Sequence, residues 1–250
     1  MFLTLFPDQA PESGHFTCVR YSSLLRDRPS FDKGSALALQ LSSAWLDVLE
    51  HFYDSEHLDA DEQVAQKLSD AQAPDAGYLA FCTLIRSISF PPDVALDHLY
   101  RQSQKGRRYC GAAATKPRWK TEPFDDSGRR WTLPKDNRRI HVEPQCNFLN
   151  QTLKVHIHYE TNPYHPVKKL RERVPRDQYE VYTSRRTAFA HHLAEAGIAP
   201  FRLSVHSNQL AIAEVSLLDA TVADAKEQLQ ALIEAATRSI DRVLDAEAAA

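Results

Sequence analysis

The residues best suited to chemistry lie in one stretch, "RRIHVEPQCNFLNQTLKVHIHYETNPY", Arg138 to Tyr164. It carries His141, Glu143, Gln145, His156, His158 and Glu160 at alternating positions. Strict alternation of polar and apolar residues is the mark of a strand with one face toward a core. With Asn150 and Gln151 as a two-residue turn, Cys146 pairs with Val155, Pro144 with Ile157 and Val142 with Tyr159, all apolar. The polar pairs are then Gln145 with His156, Glu143 with His158 and His141 with Glu160. A one-residue slip would destroy the sorting, so the hairpin assignment rests on every pair at once.

Alternation alone asks only for polar residues on a solvated face. Imidazoles beside carboxylates add a second reading, a hydrogen-bonded cluster or a divalent-metal site. The candidate ligands are His141, His156, His158 and Glu143, and the candidate catalytic groups are Glu143, His158 and Glu160. Asp125, Asp126 or Asp136 is the candidate upstream acid for a Mg²⁺ ion beside Glu143, with Lys154 as a displaced nuclease-type lysine; Pro144 departs from that pattern. The following "YETNPYHP" places Tyr164 and His165 in a turn, where rigid scaffolds commonly present functional groups.

The second chemical signal is charge. Residues 1–100 hold 6 Lys and Arg against 15 Asp and Glu, residues 101–186 hold 20 against 9, and residues 187–250 hold 4 against 9. A basic middle between acidic flanks attracts phosphates, unless the segments neutralise one another inside the fold. The basic candidates are Arg107, Arg108, Lys116, Arg118, Lys120, Arg129, Arg130, Arg138 and Arg139, with Trp119 and Trp131 placed to stack bases. Lys168, Lys169, Arg171, Arg173 and Arg176 extend the charge, and Arg185 and Arg186 are expected at a helix start, where anions are favoured.

The elements that must position these groups follow from periodicity. Leu37, Leu41, Trp45, Val48 and Phe52 form a helical stripe, and Asp59 and Glu62 have capping spacing. "PDAGYLAFCTLIRSI" is expected as a buried helix, and "PPDVALDHLYRQSQ" as another after its proline pair. Residues 105–137 lose periodicity and are expected as a long loop or junction with one short strand, "RRWTL". After the hairpin come a helix over "YTSRRTAFAHHLAEAG", a second hairpin in "FRLSVHSNQLAIAEVSLL", and a helix from Val222 to Leu244 with Thr221 and Asp224 as its cap.

The expected class is α+β: a helical N-terminal part, an antiparallel sheet of two hairpins covered by helices, and a long C-terminal helix. The expected divisions are an acidic helical region over 1–104, a basic junction over 105–137 and an α+β domain over 138–250. Four separated cysteines without a C-x-x-C pair suit reduced thiols and a cytoplasmic setting, and no apolar run is long enough to cross a membrane. "MFLTLFPDQ" suits a first strand better than a leader. P-loop, Rossmann, nucleophile-elbow and zincin motifs are all missing.

These features point first to a component of an intracellular assembly that binds nucleic acid or another polyanion. They point second to a metal-dependent phosphodiesterase or nuclease-like hydrolase using a divalent cation, and third to a structural adaptor. The long last helix suggests a protein partner or a homo-oligomer.

Overall fold

A computed structural model describes residues 2–4, 18–20, 76–104, 107–147, 152–206, 208–217 and 220–249. The expected helix over residues 34–54 and the capping pair at Asp59 lie outside the described residues. At the N-terminus β1 (Phe2–Thr4) pairs in parallel with β2 (Cys18–Arg20).

The main body is α+β. Helix α1 (Ala76–Arg86) precedes a six-stranded antiparallel sheet built from β3 (Ala95–Gln104), β4 (Arg107–Thr115), β5 (Arg139–Asn147), β6 (Thr152–Glu160), β7 (Arg202–His206) and β8 (Gln209–Val215). The strand order is β3-β4-β5-β6-β8-β7, so the sheet is made of three hairpins rather than two. Helices α2 (Val167–Arg173) and α3 (Arg176–Glu195) join β6 to β7, and α4 (Val222–Ala249) closes the chain. Among the described residues no helix is long and apolar enough to cross a membrane.

The additional hairpin corrects two sequence expectations. "PPDVALDHLYRQSQ" is not a helix: Val94 N–H bonds Pro91 O, Asp93 takes φ +64°, and the chain turns into β3. Asp tolerates this left-handed conformation, so the proline pair introduces a turn here instead of a helix start. Residues 107–115 are likewise a strand instead of loop. "CGAAAT" has weak strand propensity, but Cys110, Ala112, Ala113 and Ala114 are fully buried in a strand paired on both sides, and that context outweighs propensity. Conversely, "RRWTL" is irregular, because Trp131 N–H bonds Arg173 O and Leu133 N–H bonds the Gln178 side chain, both beyond the sheet.

The hairpin β5–β6 forms with its faces as expected and its register displaced by two. His141 faces His158, Glu143 faces His156, Arg139 faces Glu160, and Cys146 faces Leu153. A shift of two keeps every side chain on its face, since the side-chain period is two. The apolar face, with Ile140, Val142, Val155, Ile157 and Tyr159, is buried under the helices. Helix α4 supplies Val222, Ala225, Leu229, Ile233, Ala236, Ile240 and Val243 to that core, so its stripe is used within its own fold. Its cap forms as expected: Thr221 N–H bonds Asp224 Oδ2 at 2.9 Å, and Asp224 N–H bonds Thr221 Oγ1 at 3.2 Å. Helix α3 starts at Arg176, so Arg185 and Arg186 sit in its middle and not at its N-terminus; Gly197, at φ +73°, follows its end. Cys82, Cys110 and Cys146 are buried and free.

Candidate metal centre

The polar face of β5–β6 is not solvated. His141, Glu143, His156 and Glu160 are all buried, and the His158 side chain is only 17% exposed. Two His-x-Glu triplets, His141-Val142-Glu143 and His158-Tyr159-Glu160, run antiparallel on neighbouring strands with the histidines opposite each other. Each imidazole therefore lies between two carboxylates, one from its own strand and one from the other. The rings stack, with centroids 4.9 Å apart and an interplanar angle of 21°.

The two carboxylates act on different edges of this stack. On one edge His141 Nε2 is 3.1 Å from Glu143 Oε2, and His158 Nε2 is 4.0 Å from Glu143 Oε1. On the other edge His141 Nδ1 is 3.8 Å from Glu160 Oε2, and His158 Nδ1 is 3.5 Å from Glu160 Oε1. Both Nδ1 atoms are buried and have Glu160 only at ion-pair distance, without a well-formed hydrogen bond. Two imidazole nitrogens facing one carboxylate are the kinds of donor that a His₂Glu metal site uses. His141, His158 and Glu160 each offer one ligand atom, and these atoms lie within 4.8 Å of one another.

Glu143 then fits the role of the carboxylate that orients metal-binding histidines through their second nitrogen. It is itself held: Tyr100 O–H donates to Glu143 Oε1 at 2.6 Å, and Gln145 Nε2 is 3.4 Å from the same oxygen and 3.2 Å from the Tyr100 hydroxyl. Tyr100 reaches Glu143 by lying across Gly111 of β4, where any Cβ would come within 2.5 Å of the tyrosine ring. A glycine inside a strand commonly marks such a close approach. On the far side, Arg139 Nη1 is 3.6 Å from Glu160 Oε2, and Arg139 Nη2 also bonds Asp97 of β3.

Protonation follows from these contacts. Burial would raise the Glu143 carboxyl, but the His141 hydrogen bond, the positive field of the imidazoles and the Tyr100 hydroxyl outweigh it and hold it at about 2. Burial pushes His141 below the usual imidazole range, which favours the neutral tautomer with Nε2–H toward Glu143 and a free lone pair on Nδ1. Burial pulls His158 the same way, yet Glu160 and Glu143 prevail and raise it. His156 stands edge-on to His158 at 5.6 Å, and burial followed by the His158 charge lowers it to about 4.

The structure thus brings together His141, His158 and Glu160 as a group that could hold a metal ion, with Glu143 on the opposite edge. His156 flanks the set. Asp125 is exposed and accepts the Ser127 N–H, Asp126 is exposed as well, and Asp136 lies on the helix side of the sheet, so none of them joins Glu143. Lys154 pairs with Glu214 at 3.5 Å. Tyr100, Gln145 and Asp97 are additional members, and the sequence signal for Tyr100 was Gly111, the lone glycine in a run of small residues.

Five of the nine basic candidates are neutralised within the fold. Lys116 and Arg118 bind Asp241 at 2.8 Å, and Arg118 also binds Asp245 at 2.8 Å. Lys120 and Arg139 converge on Asp97, and Arg138 pairs with Glu247 at 3.5 Å. Trp119 is wholly buried and donates its indole N–H to Asp241 Oδ1 at 2.7 Å, while Trp131 is buried against His165 and Arg173, so neither offers an open face for a base. Arg107 and Arg108 lie on β4 with side chains outside the described set. Arg129 and Arg130 are exposed and have no ion-pair partner among the described residues. Lys168, Lys169 and Arg171 on α2 share that condition. The chain matches no protein-family model, no curated protein and no solved structure.

Proposed function

We propose that the chain is a metal-dependent hydrolase acting on phosphodiesters, with His141, His158 and Glu160 holding one divalent ion. The observation that carries this reading is the pair of buried Nδ1 atoms that lack a well-formed hydrogen bond and both face Glu160. These three side chains would hold the ion, and a divalent metal bound there would supply Lewis acidity and an activated water as nucleophile. Glu143, ionised and fixed by Tyr100, sets the tilt of both imidazoles. Tyr164 is 48% exposed, four residues beyond Glu160.

The exposed cations Arg129, Arg130, Lys168, Lys169 and Arg171 support a second reading, in which the protein contacts nucleic acid or another polyanion. The test is hydrolysis of bis(p-nitrophenyl) phosphate by chelator-treated protein resupplied with Zn²⁺, Mn²⁺ or Mg²⁺. Metal-dependent turnover lost by about 100-fold or more in folded His158→Asn and Glu160→Gln variants is expected. Turnover without metal, or unchanged in those variants, contradicts the reading.

A further inference from the structure

The hairpin borders a cleft on its other face. Successive residues of β6 point to opposite sides, so Tyr159 projects away from the His158–Glu160 cluster and toward the helices, where its ring meets Tyr182 at 5.9 Å and Phe189 at 5.5 Å. Beside it lies a cleft of about 470 Å³ between the end of the sheet, α3 and the last turns of α4. That volume falls within the roughly 300–1,000 Å³ usual for small-molecule sites. Four charged side chains line it, Arg138, Arg185, Asp136 and Glu247, and Leu244 with Ala188 and Ala248 supplies an apolar wall.

The charges are incompletely matched to one another. Arg138 Nη1 meets Glu247 at 3.5 Å, but Arg138 Nε is buried with no hydrogen-bond partner. Arg185 and Asp136 are exposed and form no ion pair among the described residues. A guanidinium presents Nε and Nη as a fork that suits the two oxygens of a carboxylate. The two acids make a second anion-binding reading with a dianion unfavourable, and they provide for a cation at the same time. The lining is therefore balanced in charge, with a positive pair, a negative pair and an apolar wall.

We propose that this cleft binds an apolar α-amino acid as its zwitterion, with the carboxylate on Arg138 and Arg185, the ammonium on Asp136 and Glu247, and the side chain against Leu244. Tyr159 lines the same cleft, and its phenolic O–H is a further donor for the carboxylate. The site is separate from the metal centre, so it stands whether or not the hydrolase reading does.

Calorimetric titration of the full chain tests this with phenylalanine, 3-phenylpropanoate, which lacks the ammonium, 2-phenylethylamine, which lacks the carboxylate, and inorganic phosphate. Saturable binding of one phenylalanine per chain is expected, with each single-charge analogue and phosphate weaker by about tenfold or more. Arg185→Ala, an exposed change that leaves the core untouched, and Arg138→Lys, which keeps the charge but loses the fork, should each weaken phenylalanine by about tenfold. Leu244→Trp should fill the cleft and abolish binding. Absence of saturable binding up to about 10 mM phenylalanine, analogues that bind equally well, or an unchanged affinity in folded Arg185→Ala overturns the proposal.

Discussion

Gly111→Ala should destabilise the protein through a residue on a different strand. The added methyl carbon would lie 2.5 Å from Tyr100 Cζ and Oη and 2.7 Å from Cε1, well inside van der Waals contact. Gly111 is buried between β3 and β5, paired with Tyr100 on one side and Gln145 on the other, so the ring must yield rather than the backbone. When it swings aside it gives up its 2.6 Å hydrogen bond to the Glu143 carboxylate. A hydrogen bond to a charged group contributes about 1.5–3 kcal/mol, and overpacking adds about 1 kcal/mol or more, so a loss of roughly 2–4 kcal/mol is expected. At about 2–4 °C per kcal/mol for a chain of this size, the thermal midpoint should fall by roughly 5–15 °C. The assay is a double-mutant cycle by urea unfolding and thermal melting. In a Tyr100→Ala background the methyl meets no ring, and Gly111→Ala should then cost less than about 1 kcal/mol, while Tyr100→Phe alone should reproduce the hydrogen-bond part of about 1.5–3 kcal/mol. Equal cost of Gly111→Ala with and without the Tyr100 ring would refute the coupling between β4 and Glu143.

Asp241→Ala leaves the buried Trp119 indole N–H and the Lys116 ammonium without their acceptor, and should cost about 2–4 kcal/mol by urea unfolding, with Asp241→Asn milder because one acceptor oxygen remains. The metal-free protein should lose stability as pH falls from about 6.5 toward about 4: His156 in the unfolded chain takes up a proton near 6.5, whereas in the folded chain burial delays this to about 4, so stability is present above that window and lost through it, at roughly 1.4 kcal/mol per pH unit at the steepest. His156→Gln should flatten that part of a stability-versus-pH curve, and an unchanged slope would show that His156 is not buried neutral. Arg129→Ala with Arg130→Ala should leave stability within about 0.5 kcal/mol, since both are exposed and unpaired among the described residues, and should lower the salt dependence of any polyanion binding by up to about two charges.

The membership of the cluster was legible because alternation over nine residues of each strand assigns a face to every side chain. Its pairing was not. A two-residue turn at Asn150-Gln151 would set His141 against Glu160, whereas pairing of Asn147 with Thr152 leaves four residues between the strands and sets His141 against His158. That displacement, invisible to hydrophobic sorting, creates the stacked imidazoles. Burial of the polar face was equally hidden, since alternation tells which side a residue faces and not whether water reaches it. Strand β4 was obscured by glycine and alanine, whose small size is set by neighbours on both faces, and β3 with its Tyr100 was lost along with it. The basic segment looked free because the acids that neutralise it, Asp241, Asp245 and Glu247, lie more than 100 residues further along the chain.

The most direct measurement is the stoichiometry and pH dependence of divalent-metal binding by the purified chain, followed by titration calorimetry with Zn²⁺ and by elemental analysis after gel filtration. One ion per chain is predicted, weakening as pH falls because the His158 proton competes for the ligand atom. The ion should be lost in folded His141→Asn, His158→Asn and Glu160→Gln variants and only weakened in Glu143→Gln, which orients without ligating. A folded parent that retains no ion at any pH from 6 to 9, or one whose ion survives His158→Asn and Glu160→Gln, would contradict the metal centre.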